Sequence, residues 1–230
     1  MTEPISPTAA APAAQPVAET QPAAAAPDRP AAARRTGARF SARDLLNVAI
    51  FVVIYFIVIV AITMIGAISP LVMLIIVPLC ALAGGIPYML FLTRVKHAGM
   101  VTLFGTVNAL IYFMMGHPWQ SLLFTILCSV AAEFVLAAGK YRSKWAAIGT
   151  YTVFSAWFLG PWIPLILDRA AYLQSAGLTE MGPEYVAAFD QIVSLPALFI
   201  MWGATVVLGF FGGLLGSAVL RKHFRKAGLA

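Results

Sequence analysis

Charge is what this sequence has least of. Only 10% of its 230 residues are Asp, Glu, Lys or Arg, where ordinary soluble domains carry about 25%. With 61% hydrophobic residues and a mean hydropathy of +0.88, that scarcity excludes a soluble globular domain and indicates an integral membrane protein. Sulfur chemistry is equally thin. The two cysteines, Cys80 and Cys128, each fall midway along an apolar run; no C-x-x-C occurs, and both read as small packing residues. Three histidines, His97, His117 and His223, form no H-x-x-H or H-E-x-x-H, so neither a metal site nor a metalloprotease is expected. G-x-S-x-G is missing, and intramembrane serine proteolysis has no support. There is no G-x-x-x-x-G-K-[ST]; if ATP drives transport here, another chain hydrolyses it. The net charge of +6 does not signal nucleic acid, because the basic residues sit at the ends of apolar segments, where membrane topology explains them.

What is present divides into an Ala/Pro-rich start and six apolar runs. Residues 1–43 carry proline at a density that blocks a regular helix and too few large apolar residues for a core; they read as a disordered cytoplasmic tail. Residues 44–220 read as a six-helix transmembrane domain. Its spans are expected at about Leu45–Ile65, Pro70–Leu92, Val101–Met115, Trp119–Ala138, Trp145–Leu167 and Leu195–Leu220. Residues 221–230 form a basic cytoplasmic tail. The second span contains Pro78, Gly84, Gly85 and Pro87, breaks that survive in lipid only where neighbouring protein or trapped water satisfies the freed backbone, so it is predicted inside the bundle. The one long polar connection, Leu173 to Val193, follows the fifth span. With six crossings, all of the fifteen Lys and Arg except Arg169 share one side with both termini. By the positive-inside rule that side is cytoplasmic, in a bacterial cytoplasmic membrane.

Few residues inside the runs can carry chemistry. Glu133, the acid deepest in an apolar run, costs on the order of 3 kcal/mol at a bilayer centre and is expected to be protonated or paired with Lys140 or another inner-side base, with coupling to a partner and direct substrate contact as the alternatives. Asn108 is expected to make an interhelical hydrogen bond. Gly209, Gly212, Gly213 and Gly216 give overlapping G-x-x-x-G spacings in the sixth span, which favours close helix packing. At the outer end Tyr112, His117, Trp119, Trp157, Trp162 and Tyr172 cluster by depth. They fit an aromatic belt at the headgroups or a ring-lined solute cavity, with Asp168 and Arg169 as its charges or as solvated ends. Glu180, Glu184 and Asp190 read as solvated loop surface.

The runs ARDLLNVAIFVVIY (42–55), GGIPYMLFLTRVKHAGM (84–100), AAGKYRSK (137–144), FSAWFLGPWIPL (154–165) and GGLLGSAVLRKHFRKAG (212–228) resemble the Trep_Strep family. Its members are described as MptD-type substrate-binding (S) components of energy-coupling factor (ECF) transporters. The resemblance implies an all-α, six-helix S component that captures a micronutrient-sized solute outside, such as a thiamine-like heterocycle, another vitamin or a nucleobase precursor. It further implies docking on a transmembrane coupling subunit driven by two ATPase subunits, with ATP used by those partners and no cofactor in this chain. The A-x-x-x-A docking surface of many S components has its nearest match in Ala49-x-x-x-Val53, where the second position departs from the pattern. Two other classes remain open on the residues alone: a membrane-embedded enzyme on lipid-linked substrates, and a non-transporting helix bundle that binds a partner through the glycine face.

Overall fold

A computed structural model describes the backbone of residues 41–95 and 97–226 and the side chains of these as far as Lys222. The Ala/Pro-rich tail, Lys96 and the side chains of His223, Arg225 and Lys226 lie outside the described residues. Every regular element among them is helical.

The first helix, α1 (Ala42–Thr63), starts where a capping box forms. Ser41 Oγ accepts the Asp44 N–H at 3.2 Å, and the Asp44 carboxylate accepts the Ser41 N–H at 3.0 Å. Helix therefore begins at Ala42, just inside the stretch expected to be tail. Asp44 is buried, 3.6 Å from His97 Nε2. After a 3-10 turn (Met64–Ile68), Ser69 caps α2 (Pro70–Leu92), with Pro70 in the first turn where its missing N–H costs nothing. The remaining long helices are α3 (Met100–Met114), α4 (Trp119–Ala138), α5 (Lys144–Phe154) and the last helix, which runs from Leu195 past Leu220 to Lys226.

Five stretches are long and apolar enough to cross a membrane: Ala42–Ile68, Pro70–Leu92, Trp119–Ala138, Lys144–Leu167 and Leu195–Lys222. The sixth expected span, α3, has 15 residues. It rises about 22 Å, short of the ~30 Å hydrocarbon thickness.

α2 buries the face that carries Pro78, Gly84, Gly85 and Pro87, while Leu71, Ile75, Leu79, Ile86 and Leu90 leave its other face exposed, so it lies at the edge of the bundle and not wholly inside it. It meets α1, α5 and the last helix. The closest approach is to the last helix: a Cβ on Gly85 would collide with the Gly212 backbone, and one on Gly216 would lie 2.5 Å from Gly85 O. The other two glycines of the stripe turn toward the fifth span, Gly209 onto Ser155 and Gly213 onto Ile148. Between α1, α2, α3 and α5 lies an aromatic core of Tyr55, Tyr88, Phe91, Phe104, Tyr151 and Phe154, all fully buried. Their rings meet edge-on or stacked, as quadrupoles prefer. Tyr151 Oη donates to Ala81 O at 2.5 Å, tying the fifth span to α2.

The fifth span is not one helix. A 3-10 segment (Ser155–Trp162) follows α5, then come α6 (Ile163–Leu167), α7 (Arg169–Leu173), α8 (Ala176–Thr179) and α9 (Pro183–Ile192). The last helix is α10 (Leu195–Lys226). The polar connection at 173–193 is thus mostly short helix, because Leu178, Phe189 and Val193 are apolar enough to be drawn into the core.

Candidate functional site: an aromatic cavity at the acidic end of the bundle

The cavity is built where five chain segments end. α1 contributes its last turn, α2 its first, α3 and α4 their connecting turn (115–118), and the 3-10 segment two tryptophans; α7 to α9 fold across. The space is half open and measures about 920 Å³, within the ~300–1,000 Å³ of small-molecule sites. Its polar wall is sparse and includes Tyr112, His117, Gln120, Asp168 and Tyr172.

The aromatic walls are locked by contacts of their own. Trp157 is buried and donates its indole N–H to Tyr55 Oη at 3.1 Å, with its ring 5.0 Å from Tyr112 and 4.5 Å from Phe158. Phe189, on the inward face of α9, lies between Trp162 and Tyr172 at centroid distances of 6.1 and 5.8 Å. His117 packs on Tyr112 at 5.0 Å; burial lowers its pKa from 6.5, and a hydrogen bond to the Tyr112 backbone offsets part of that. Burial likewise pushes the Tyr172 phenol up to about 12, with Tyr185 adding to the effect. Both rings are therefore neutral near pH 7.

Of the eight residues expected from sequence, Tyr112, His117, Trp157, Trp162, Asp168 and Tyr172 line this cavity. The other two do not. Trp119 is 60% exposed on the outer surface, because the His117–Pro118 turn aims the first residue of α4 away from the bundle. Arg169 is occupied elsewhere: Nη2 lies 2.8 Å from Asp190 Oδ1, and Nη1 and Nη2 donate to the carbonyls of Val193 and Asp190, both at 2.7 Å. It fastens the C-terminal end of α9, and Asp190 is accordingly paired, not merely solvated.

The two polar residues expected to be buried also differ from expectation: Asn108 is buried, but Glu133, one turn from the end of its helix, is half-buried. Glu133 does not reach Lys140. Its Oε2 accepts the N–H groups of Val101 (2.8 Å) and Thr102 (3.0 Å), and its Oε1 accepts the Tyr141 hydroxyl at 2.8 Å. Asn108 is fully buried, yet neither amide atom has a hydrogen-bond partner, so the expected interhelical bond is not made. Tyr112 Oη and Gln120 Oε1, both on residues of the cavity wall, are unpartnered as well.

Sequence reasoning missed Gln120, Tyr185, Phe189 and four methionines of the lining, Met64, Met73, Met115 and Met181. Tyr185 and Phe189, four apart in PEYVAAFDQI, carried a signal, since that spacing puts both on one helix face. Ala49 and Val53 both lie exposed on the outward face of α1. Among the described residues no three His, Cys, Asp or Glu come together.

A bundle of long apolar helices whose outward faces carry Leu46, Ile57, Leu127, Phe134 and Ile200, enclosing a ring-lined cavity at one end, is an integral membrane protein. The family follows from comparison: the chain belongs to the family described as hypothetical bacterial integral membrane protein (Trep_Strep), whose model matches residues 42–226. No curated protein and no solved structure matches the chain.

Proposed function

We propose that the chain is the substrate-binding (S) subunit of an energy-coupling factor importer in the bacterial cytoplasmic membrane. It takes a small solute from outside and passes it to a transmembrane coupling subunit worked by two ATPases. The observation that carries this reading is the cavity of about 920 Å³ at the end of the bundle remote from Arg43, Arg94, Lys140, Arg142, Lys144, Arg221 and Lys222. With those bases cytoplasmic, the cavity faces out. Six crossings and two cytoplasmic termini suit this arrangement: α3 is short, but it runs from Glu133, beside the basic turn, to Tyr112 at the cavity, and so carries the chain from one end to the other.

Co-expression of the tagged chain with a coupling subunit and two ATPases of this transporter class tests the reading. Purification should recover all four, and Ala49→Trp, on the exposed face of α1, should lower recovery of the partners without reducing membrane insertion. Recovery of the chain alone under every condition would overturn the proposal. A cysteine tag in the Glu180 segment should react with an impermeant reagent from outside the cell; labelling only from the cytosol would invert the topology.

A further inference from the structure

We propose that the cavity, taken as the solute site of the reading above, selects a small organic cation built on a flat ring and rejects solutes bearing carboxylate or phosphate. The first ground is what the wall lacks. Among the described residues no Lys or Arg lines the cavity, and Arg169, the guanidinium nearest in sequence, is turned to Asp190 and the carbonyls of Asp190 and Val193. An anion entering here would lose its hydration and meet no counter-charge, which low-dielectric surroundings penalise heavily.

The second ground is the sign of the charge that is present. Among the described residues Asp168, exposed at the mouth, is the one carboxylate of the wall. Its Oδ1 accepts the Ala171 N–H at 3.0 Å, and among the described residues no protein donor is recorded on Oδ2. Glu180, Glu184 and Asp190 lie on the same segment, so that four carboxylates stand against one guanidinium there. His117 adds no positive charge near neutral pH, since burial lowers its pKa. The field at the mouth draws cations in and turns anions away.

The third ground is the wall itself. The rings of Tyr112, Trp157, Trp162 and Tyr172 line the cavity, aromatic rings favour cations and flat solutes, and the methionine side chains adapt to an irregular outline. Gln120 Oε1 is a buried acceptor without a donor, and Tyr112 Oη is a buried hydroxyl without a partner. A ring carrying N–H groups supplies what Gln120 needs, whereas a carboxylate supplies none.

The test uses the full chain in nanodiscs of zwitterionic lipid and three probes of one shape: naphthamidinium (cation), naphthamide (neutral) and naphthoate (anion). Equilibrium dialysis should rank the amidinium tightest, about tenfold or more ahead of naphthoate. Asp168→Asn, which keeps a capping side chain for α7, should narrow that gap to within about threefold, chiefly by weakening the amidinium. Naphthoate binding as tightly as the amidinium, or a gap unmoved by Asp168→Asn, would overturn the cation assignment while leaving a solute site in place. Absence of saturable binding by all three would also overturn it. The importer reading is judged separately, by recovery of the coupling subunit and ATPases.

Discussion

Glu133 accepts the backbone N–H of Val101 at 2.8 Å, reaching from α4 to the first turn of α3. α3 is preceded by Gly99 (φ 90°), which has no side chain to cap it. The N–H groups of Val101 and Thr102, in the first turn, have no partner within the helix, and a carboxylate at the positive end of the helix dipole satisfies both. Glu133→Ala should therefore lower stability by about 1–3 kcal/mol, read as a drop in denaturation temperature in detergent. Glu133→Gln, which keeps an acceptor, should cost less than half as much. Equal losses in the two variants would mean that Glu133 acts through charge alone.

The Gly85–Gly212 contact predicts a sharper result. At Gly212 a new Cβ would sit 2.7 Å from the carbonyl oxygens of both Ala81 and Leu82, and at Gly85 it would collide with the Gly212 backbone. Backbone, unlike a flexible side chain, cannot yield locally, so α2 and α10 must separate. Gly85→Ala and Gly212→Ala should each cost about 3 kcal/mol or more, measured as loss of folded protein on heating. Gly203→Ala, on the same helix with nothing within 4 Å of its Cβ position, should change stability by less than about 0.5 kcal/mol.

These two sites show what was legible in the sequence. Spans two and four were readable to the residue, because Ser69–Pro70 and Pro118–Trp119 mark helix starts by chemistry local to the chain. The glycine stripe was readable as spacing, but only the fold divides it between α2 and the fifth span. Glu133 stood out as an acid, yet its partners are backbone N–H groups 31 and 32 residues away, and no side-chain type advertises them. Asp44 went unnoticed because an acid at the edge of an apolar run looks solvated; its burial depends on the segment holding His97 folding over it. In the cavity, aromatic residues could be assigned by depth, whereas Trp119 and Trp157 differ only in helix rotation, which the sequence leaves undetermined.

Arg169 makes a separate prediction about α9. Its bonds to Asp190 and to the last carbonyls of that helix hold Phe189 against Trp162. The ion pair is partly exposed and contributes little, about 0–1 kcal/mol, but the two carbonyl bonds add roughly 1 kcal/mol each. Arg169→Ala should speed amide exchange across Pro183–Ile192 by about tenfold or more, with the middle of α10 unchanged. Arg169→Lys should fall between, since a single ammonium cannot reproduce the planar fork. Exchange unaltered in α9 would mean that ring stacking alone holds it.

His117 makes the stability of the cavity end of the bundle depend on pH. Burial against Tyr112 lowers its pKa from 6.5, so below that value the unfolded chain takes up a proton that the folded chain resists. Its contribution is complete above 6.5 and is lost as the pH falls through the window beneath it. Scanned from about pH 8 down to about pH 5, the melting temperature in detergent should fall more steeply for the native chain than for His117→Gln, whose amide takes up no proton in that range. The native imidazole, followed by NMR, should titrate with a midpoint below that of free histidine. Parallel melting curves for the two proteins would mean that the ring stays hydrated when the bundle is folded.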